Sequence, residues 1–279
     1  LIDLPDLIVE PVVRAALAED YGRAGDITSA ACIPEDARLT ATFVARAEGI
    51  VAGLACARLA LAALDPDGRF EVVAADESKV LPGGAIARAE ANARAMLGAE
   101  RAALNLLCRL SGIATLAARY VAAVEGTGAR IIDTRKTTPG LRALEKYAVR
   151  CGGGGNHRFG LDDAVLIKDN HIAACGSVGE AVRRARLAVG HMVKVEVEID
   201  RLDQLEEALT EGPDIVMLDN FALADLAEAV RRVSGRALVE ASGGVRLETV
   251  RSIAGTGVDL ISVGALTHSA PILDIGLDA

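Results

Sequence analysis

Three stretches decide the fold: Ile215-Val216-Met217-Leu218-Asp219-Asn220, Ala237-Leu238-Val239-Glu240-Ala241-Ser242-Gly243-Gly244, and Asp259-Leu260-Ile261-Ser262-Val263-Gly264-Ala265. Each is an apolar run of strand length that ends in polar residues or glycine, and their starts lie 22 residues apart. That interval holds one strand, one loop and one helix, and helical patterns do lie between them, at Leu223 to Val233 and Leu247 to Ile253. Earlier runs of the same kind occur at Ile131-Ile132, Ala164 to Ile167 and Val193 to Ile199, with a further helical pattern at Leu202 to Leu209. Repeated βα units make a parallel sheet covered by helices, and right-handed crossovers tend to close it into a barrel. Six runs are fewer than eight strands, so the pattern predicts an incomplete, open α/β barrel. A doubly wound open sheet is the alternative.

The chain before Ser111-Gly112 reads differently. Leu7 to Ala18 and Val51 to Leu64 are helical, the second opening on Gly53, with strand character at Leu39 to Ala45 and Phe70 to Ala74. A long helix is predicted from about Asn92 to Leu110, with Leu97, Leu104, Leu107 and Cys108 on one apolar face and Arg101, Asn105 and Arg109 on another stripe. These elements imply a mixed α+β layer domain over residues 1–112, followed by the barrel over 113–267. The tail 268–279 is expected to pack on the first domain.

Composition bounds the function. Hydrophobic residues make up 51% of the chain but aromatics only 3%, so the core is built from Ala, Val, Leu and Ile, in keeping with α/β architecture. A net charge of −9 argues against a nucleic-acid or membrane-surface binder. Five scattered cysteines without a C-x-x-C pair argue against a disulfide framework or zinc knuckle and for a reducing cytoplasm. Leu1-Ile2-Asp3-Leu4-Pro5 lacks the basic flank and apolar run of a signal peptide, and a soluble intracellular protein is expected.

The chemistry collects after the strands. Ile131-Ile132 runs into Asp133-Thr134-Arg135-Lys136-Thr137-Thr138-Pro139-Gly140, and Ala164 to Ile167 into Lys168-Asp169-Asn170-His171. The strand around Val195 carries Glu196 and Glu198, the next ends in Asp219-Asn220, and the last two lead to Ser242-Gly243-Gly244 and Gly264-Ala265. In a parallel barrel these ends share the face on which active sites are built. A charged residue after a strand is often only a helix cap or solvated loop residue, but six such loops in series are hard to explain that way.

Between Arg135 and His171 seven Lys/Arg face four acids; that window carries +3, which leaves −12 on the rest of the chain. A basic cluster in an acidic protein points to a small anionic ligand, with arginine forks matched to carboxylate or phosphate oxygens. Cys151-Gly152-Gly153-Gly154-Gly155-Asn156-His157-Arg158 would let backbone approach a ligand and present an imidazole beside a guanidinium, although a glycine run alone is more often a flexible loop. Glu198 and Asp219 either neutralise the cluster or hold ribose hydroxyls and a magnesium ion.

Taken together, these motifs resemble the quinolinate phosphoribosyltransferase family, in the family's order. The likeness runs from Glu19-Asp20 and Gly25-Asp26-Ile27-Thr28, through Glu100-Arg101 and Ser111-Gly112-Ile113-Ala114-Thr115, to Val263-Gly264-Ala265-Leu266-Thr267-His268. Cys108 departs from it, standing where the family often has Gln. The resemblance implies an N-terminal α/β sandwich, an incomplete type II phosphoribosyltransferase-like barrel and a homodimer with shared active sites, with a hexamer as a larger assembly. It implies transfer of the phosphoribosyl group of phosphoribosyl pyrophosphate to quinolinate with decarboxylation.

By the same resemblance Arg135, His157, Arg158 and Lys168 grip the quinolinate carboxylates, with Arg109 supplied by the partner subunit. Lys136, Glu198 and Asp219 hold phosphoribosyl pyrophosphate and its Mg2+, the two carboxylates being the metal ligands, directly or through water. Glu198 is chosen over Glu196 for its spacing to Asp219. Thr134 joins the substrate site, and the loops Ser242-Gly243-Gly244 and Val263-Gly264-Ala265 take the 5′-phosphate. A transferase for nicotinate and a non-catalytic ligand-binding relative remain the competing readings.

Overall fold

The computed structural model describes residues 4–279, so the expectation about Leu1-Ile2-Asp3 lies outside the described residues. The chain forms two compact units. The first comprises residues up to Ala118 together with Thr137–Gly153 and Leu266–Ala279; the second comprises Arg119–Lys136 and Gly154–Ala265. Among the described residues the strands are β1 (Arg38–Ala45), β2 (Gly49–Ile50), β3 (Arg69–Val72), β4 (Lys79–Val80), β5 (Ala85–Asn92), β6 (Arg130–Ile132), β7 (Val165–Ile167), β8 (Val195–Ile199), β9 (Ile215–Asp219), β10 (Leu238–Ser242), β11 (Leu260–Ser262) and β12 (Ile275–Asp278).

In the first unit an antiparallel sheet of order β12-β1-β5-β3 is formed, with Ala45 of β1 opposite Ile275 and Ala41 opposite Ala89. Every second residue of β1 from Ala41 is buried, as a half-covered sheet requires. The expected strands at Leu39 and Phe70 are β1 and β3. Strand β5, Ala-Ile-Ala-Arg-Ala-Glu-Ala-Asn, escaped the sequence reading because alanine is a helix former; pairing on both sides overrides that preference. Helix α1 (Asp6–Tyr21) buries Val9, Val13 and Leu17, spaced four apart. Helix α2 (Ile27–Cys32) is capped by Asp26, whose carboxylate accepts the Ser29 N–H at 2.9 Å. Helix α3 (Leu54–Leu64) opens where expected, on Gly53 at φ +99°, and the Asp76 carboxylate accepts its first N–H groups, from Gly53 and Leu54.

Helix α4 (Ala93–Ala123) does not stop at Leu110 but runs on through Ser111-Gly112. Those residues are small for packing and do not break the helix. Ser111 Oγ accepts the Ala52 N–H at 3.0 Å, and a Cβ on Gly112 would stand 2.0 Å from the Pro271 carbonyl oxygen. Leu104, Leu107 and Cys108 are buried as expected, but Leu97 is 38% exposed and Met96 takes the buried place there. This helix alone among those described is long and apolar enough to span a membrane, yet over half of its most apolar window is buried within the protein.

Helix α5 (Arg142–Cys151) completes the first unit with a buried ion pair. Glu145 is fully buried and takes the Arg109 guanidinium at 2.9 Å, while Arg109 also donates to the carbonyls of Ala270 and Thr267.

In the second unit six strands lie parallel in the order β6-β11-β10-β9-β8-β7. From β7 to β11 each strand neighbours the next, so the winding never reverses. A doubly wound sheet changes direction at a switch point, and that alternative falls. No ladder joins β6 to β7, so the barrel is open between them. Helices α6 (Asp169–Cys175), α7 (Val178–Ala188), α8 (Leu205–Thr210), α9 (Leu223–Val233) and α10 (Leu247–Ala254) fill the connections, and α11 (Ala265–His268) follows β11. All six predicted barrel strands form, but β10 is longer than expected and reaches Ser242, which makes Glu240 a buried mid-strand residue.

Arg109→Ala would leave the Glu145 charge buried without its guanidinium, a loss of about 3–5 kcal/mol that urea unfolding of the variant measures directly. Burial and the nearby Asp76 carboxylate push the thiols of Cys56 and Cys151 up to about 12. In the native protein at pH 8, iodoacetamide should therefore label exposed Cys32 and spare Cys56 and Cys151, as peptide mass spectrometry would read.

Candidate active site

Side chains two apart on a strand share a face. In the barrel that rule sends Leu166 of β7, Glu196 and Glu198 of β8, Met217 and Asp219 of β9, Glu240 and Ser242 of β10, and Ser262 of β11 to the interior. A cavity of about 330 Å³ opens there, lined by Thr134, Arg135, Lys136, His157, Arg158, Leu166, Lys168, Glu198, Met217, Asp219, Ser242 and Ser262. Every barrel strand or the loop after it contributes.

The rim is assembled by a few specific bonds. Lys168, at the end of β7, donates to Glu198 Oε2 at 2.6 Å. Asp219 Oδ2 accepts the Asn220 amide at 2.9 Å, and the Asn220 N–H reaches the Ser242 carbonyl at 2.9 Å, which locks the loop after β9 to the end of β10. Asn220 itself sits at φ +58°, and Gly243 at φ +89° must lack a side chain because a Cβ there would stand 2.2 Å from Asn220 Oδ1. The Lys136 N–H bonds Thr134 Oγ1 at 3.1 Å and folds the loop after β6 back on itself.

At two of its positions the glycine run packs closely. A Cβ on Gly152 would lie 2.2 Å from the Ala114 carbonyl oxygen, and Gly155 bridges to Ile132 at the end of β6. Beyond it Asp133, wholly buried, accepts the Asn156 side-chain amide at 2.7 Å and the His157 N–H at 2.8 Å. Arg158 then extends to the Ala164 carbonyl beside β7 at 2.9 Å. The segment 155–158 thus spans the open side of the barrel, from the Gly155 bridge on β6 to the Ala164 carbonyl beside β7.

Of the predicted site residues, Thr134, Arg135, Lys136, His157, Arg158, Lys168, Glu198, Asp219 and Ser242 line this one cavity. Gly243 and Gly244 follow β10, Gly264 follows β11 and Ala265 opens α11, and the Val263 N–H is spent on the Ile132 carbonyl at 2.9 Å. Arg109 belongs to the other unit, in its ion pair with Glu145. Arg142, Lys146 and Arg150 lie on α5, in the other unit, and are not among the residues that line this cavity.

Four cations remain at the cavity, Arg135, Lys136, Arg158 and Lys168, against the carboxylates of Glu198 and Asp219. Burial and the Arg135 guanidinium both push the Arg158 pKa down, a cost to its positive charge. An anion relieves that cost. Sequence reasoning missed the apolar floor of Leu166 and Met217 and the role of Asp133 as a frame. Strand alternation from Glu198 was the available signal that Glu196 also faces inward.

Residues 26–111 match the family described as "Quinolinate phosphoribosyl transferase, N-terminal domain", and residues 113–278 match its C-terminal domain. A nicotinate-nucleotide pyrophosphorylase [carboxylating] of Mycobacterium leprae (strain TN) is 48% identical over 271 residues, which is 95% of each chain. A probable enzyme of the same name from Bacillus subtilis (strain 168) is 47% identical, over 93% of this chain and 89% of that one. The solved nicotinate-nucleotide pyrophosphorylase from Francisella tularensis superposes with a TM-score of 0.94 at 41% identity, covering 99% of this chain and 97% of that one. With both domains matched and a rim cavity of the expected charge, the chain belongs to the quinolinate phosphoribosyltransferase family.

Proposed function

We propose that the rim cavity is where this chain joins quinolinate to the phosphoribosyl group of phosphoribosyl pyrophosphate, giving nicotinate mononucleotide, carbon dioxide and pyrophosphate. The observation that carries the reading is the convergence of Arg135, Lys136, Arg158 and Lys168 on one small cavity of a chain with net charge −9. Two guanidinium forks and a lysine match a dicarboxylate, with the His157 ring beside them. Nicotinate has one carboxylate and would leave a fork unmatched. A non-catalytic relative has no need of Lys136, Glu198 and Asp219 in the same cavity.

Lys136 takes the departing pyrophosphate oxygens, and Glu198 and Asp219 take the ribose hydroxyls and the charge that grows on the ring as the C1–O bond breaks. The loops Ser242-Gly243-Gly244 and Val263-Gly264-Ala265 take the 5′-phosphate, on backbone N–H groups other than that of Val263, with Thr134 after β6, the neighbour of β11. The pyridine nitrogen, held by its anchored carboxylates, then attacks C1; orientation is the protein's main contribution. The new pyridinium accepts the electron pair of the C2–carboxylate bond as carbon dioxide leaves, and a proton from water replaces it at C2.

Magnesium fits the donor set. Lys168 occupies one Glu198 oxygen and the Asn220 amide one Asp219 oxygen, which leaves the other oxygen of each carboxylate for a hard cation. Glu198 and Asp219 would hold the ion, directly or through water, and its chemistry when bound is to neutralise the pyrophosphate oxygens.

A homodimer with shared sites, alone or as part of a hexamer, is the proposed assembly, with Arg109 of the partner subunit completing the quinolinate pocket. The guanidinium is held by Glu145 and two carbonyls, so it would arrive in a preset orientation. The five free thiols support a cytoplasmic setting.

Purified protein with magnesium and phosphoribosyl pyrophosphate should release carbon dioxide and nicotinate mononucleotide from quinolinate and should leave nicotinate largely unreacted; the reverse preference would overturn the reading. Arg158→Ala should lower kcat/KM for quinolinate at least about thirtyfold, the lower end of the roughly 2–5 kcal/mol that loss of a desolvated charged partner costs. For shared sites, Lys136→Ala mixed with Arg109→Lys, which keeps a charge for Glu145, should recover about a quarter of parental activity after subunit exchange. No recovery would count against sharing.

A further inference from the structure

Two carboxylates in the barrel interior have no part in the chemistry above. Glu196 and Glu240 are 4% and 0% exposed, and with His157 they separate the rim cavity from a second one of about 440 Å³ at the opposite mouth. Glu196 Oε2 lies 3.0 Å from His157 Nε2, and Glu240 Oε1 lies 3.9 Å from it. The other ring nitrogen, Nδ1, accepts the Arg158 N–H at 2.7 Å. A nitrogen that accepts a hydrogen bond carries no proton, so the ring proton belongs on Nε2, aimed at Glu196. His157 is therefore held at its backbone N–H by Asp133 and at both ring nitrogens, and one of those bonds fixes the backbone of Arg158.

We propose that Glu196 and Glu240 are positioning residues: from beneath the cavity they hold the His157 ring, and through it the Arg158 backbone that presents its guanidinium to a quinolinate carboxylate. This rests on the assignment of Arg158 to the dicarboxylate. Burial and the adjacent Glu196 push the Glu240 carboxyl well above its usual range, which favours its neutral form over a second charge in the interior. His157 thus orients a binding residue.

Three donor groups within 4.8 Å of one another could also hold a metal ion, and the test separates the two readings. Glu196→Leu should raise KM for quinolinate at least about tenfold, the usual scale for losing a residue that orients a binding group, while KM for phosphoribosyl pyrophosphate changes less than about twofold. Binding of benzene-1,2-dicarboxylate, measured by calorimetry, should weaken by the same factor. Glu196→Gln, which keeps an acceptor for the ring, should restore most of the loss; Glu240→Leu should behave like Glu196→Leu, and Glu240→Gln should rescue it. Equal rises in both KM values, or no rescue by the glutamine variants, would overturn the proposal.

Should the leucine variants not fold, the nitrogen resonances of His157 in the parent protein at pH 7.5 decide the matter. A proton on Nε2 alone supports the assignment. A proton on Nδ1, or a stoichiometric metal ion in protein purified without chelator, overturns it. Failure of the parent to bind benzene-1,2-dicarboxylate would sink the dicarboxylate reading instead, leaving the ring assignment to stand or fall on the resonances.

Discussion

The wholly buried carboxylate of Asp133 ties the end of β6 to Asn156 and His157, and the rest of the site depends on that tie. Six strands do not close a barrel, and an open edge between β6 and β7 would leave the interior without a wall. The segment from Gly155 to Arg158 provides one: it bridges to Ile132, hangs from Asp133 and reaches the Ala164 carbonyl. A buried carboxylate is tolerated only when its lone pairs are taken, so Asp133 and the backbone it holds specify each other.

Charge is arranged in depth. Four cations gather at the rim, Glu198 and Asp219 face them at the strand ends, and Glu196 and Glu240 lie below. Each level needs the one beneath it. Arg158 is costly to hold charged in a half-buried place beside Arg135, and its backbone is fixed through His157 by the acids of the interior. Such a pocket is preorganised for an anion because its dipoles and charges are already oriented before ligand arrives. On the other unit Arg109 follows the same logic, a guanidinium kept in place by a buried acid, Glu145.

Some of this was legible in the residues. The regular 22-residue spacing of Ile215, Ala237 and Asp259 marked βα units, and all six barrel strands form. Glu198 and Asp219 line the same cavity, and Glu196 lies deeper on the same face of β8. The alanine-rich strand β5 did not declare itself, because alanine carries no strand preference and its pairing partners are distant in sequence. Glycines 152 and 155 read as part of a ligand loop; Gly152 lies where a Cβ would meet the Ala114 carbonyl, and Gly155 pairs with Ile132 of β6. The seven cations of the basic window read as one patch, but helix α5 carries three of them into the other unit.

The sequence by itself determined the repeated βα rhythm, the face on which the polar strand ends gather and the family to which the motifs belong, because periodicity and short motifs are local properties of the chain. Only the tertiary structure decided that the barrel is open between β6 and β7, that the segment bearing His157 and Arg158 covers the gap, and that Glu196 and Glu240 lie under it. Those outcomes depend on which strands pair and on which buried charges find partners, and both are contacts between residues far apart in the chain.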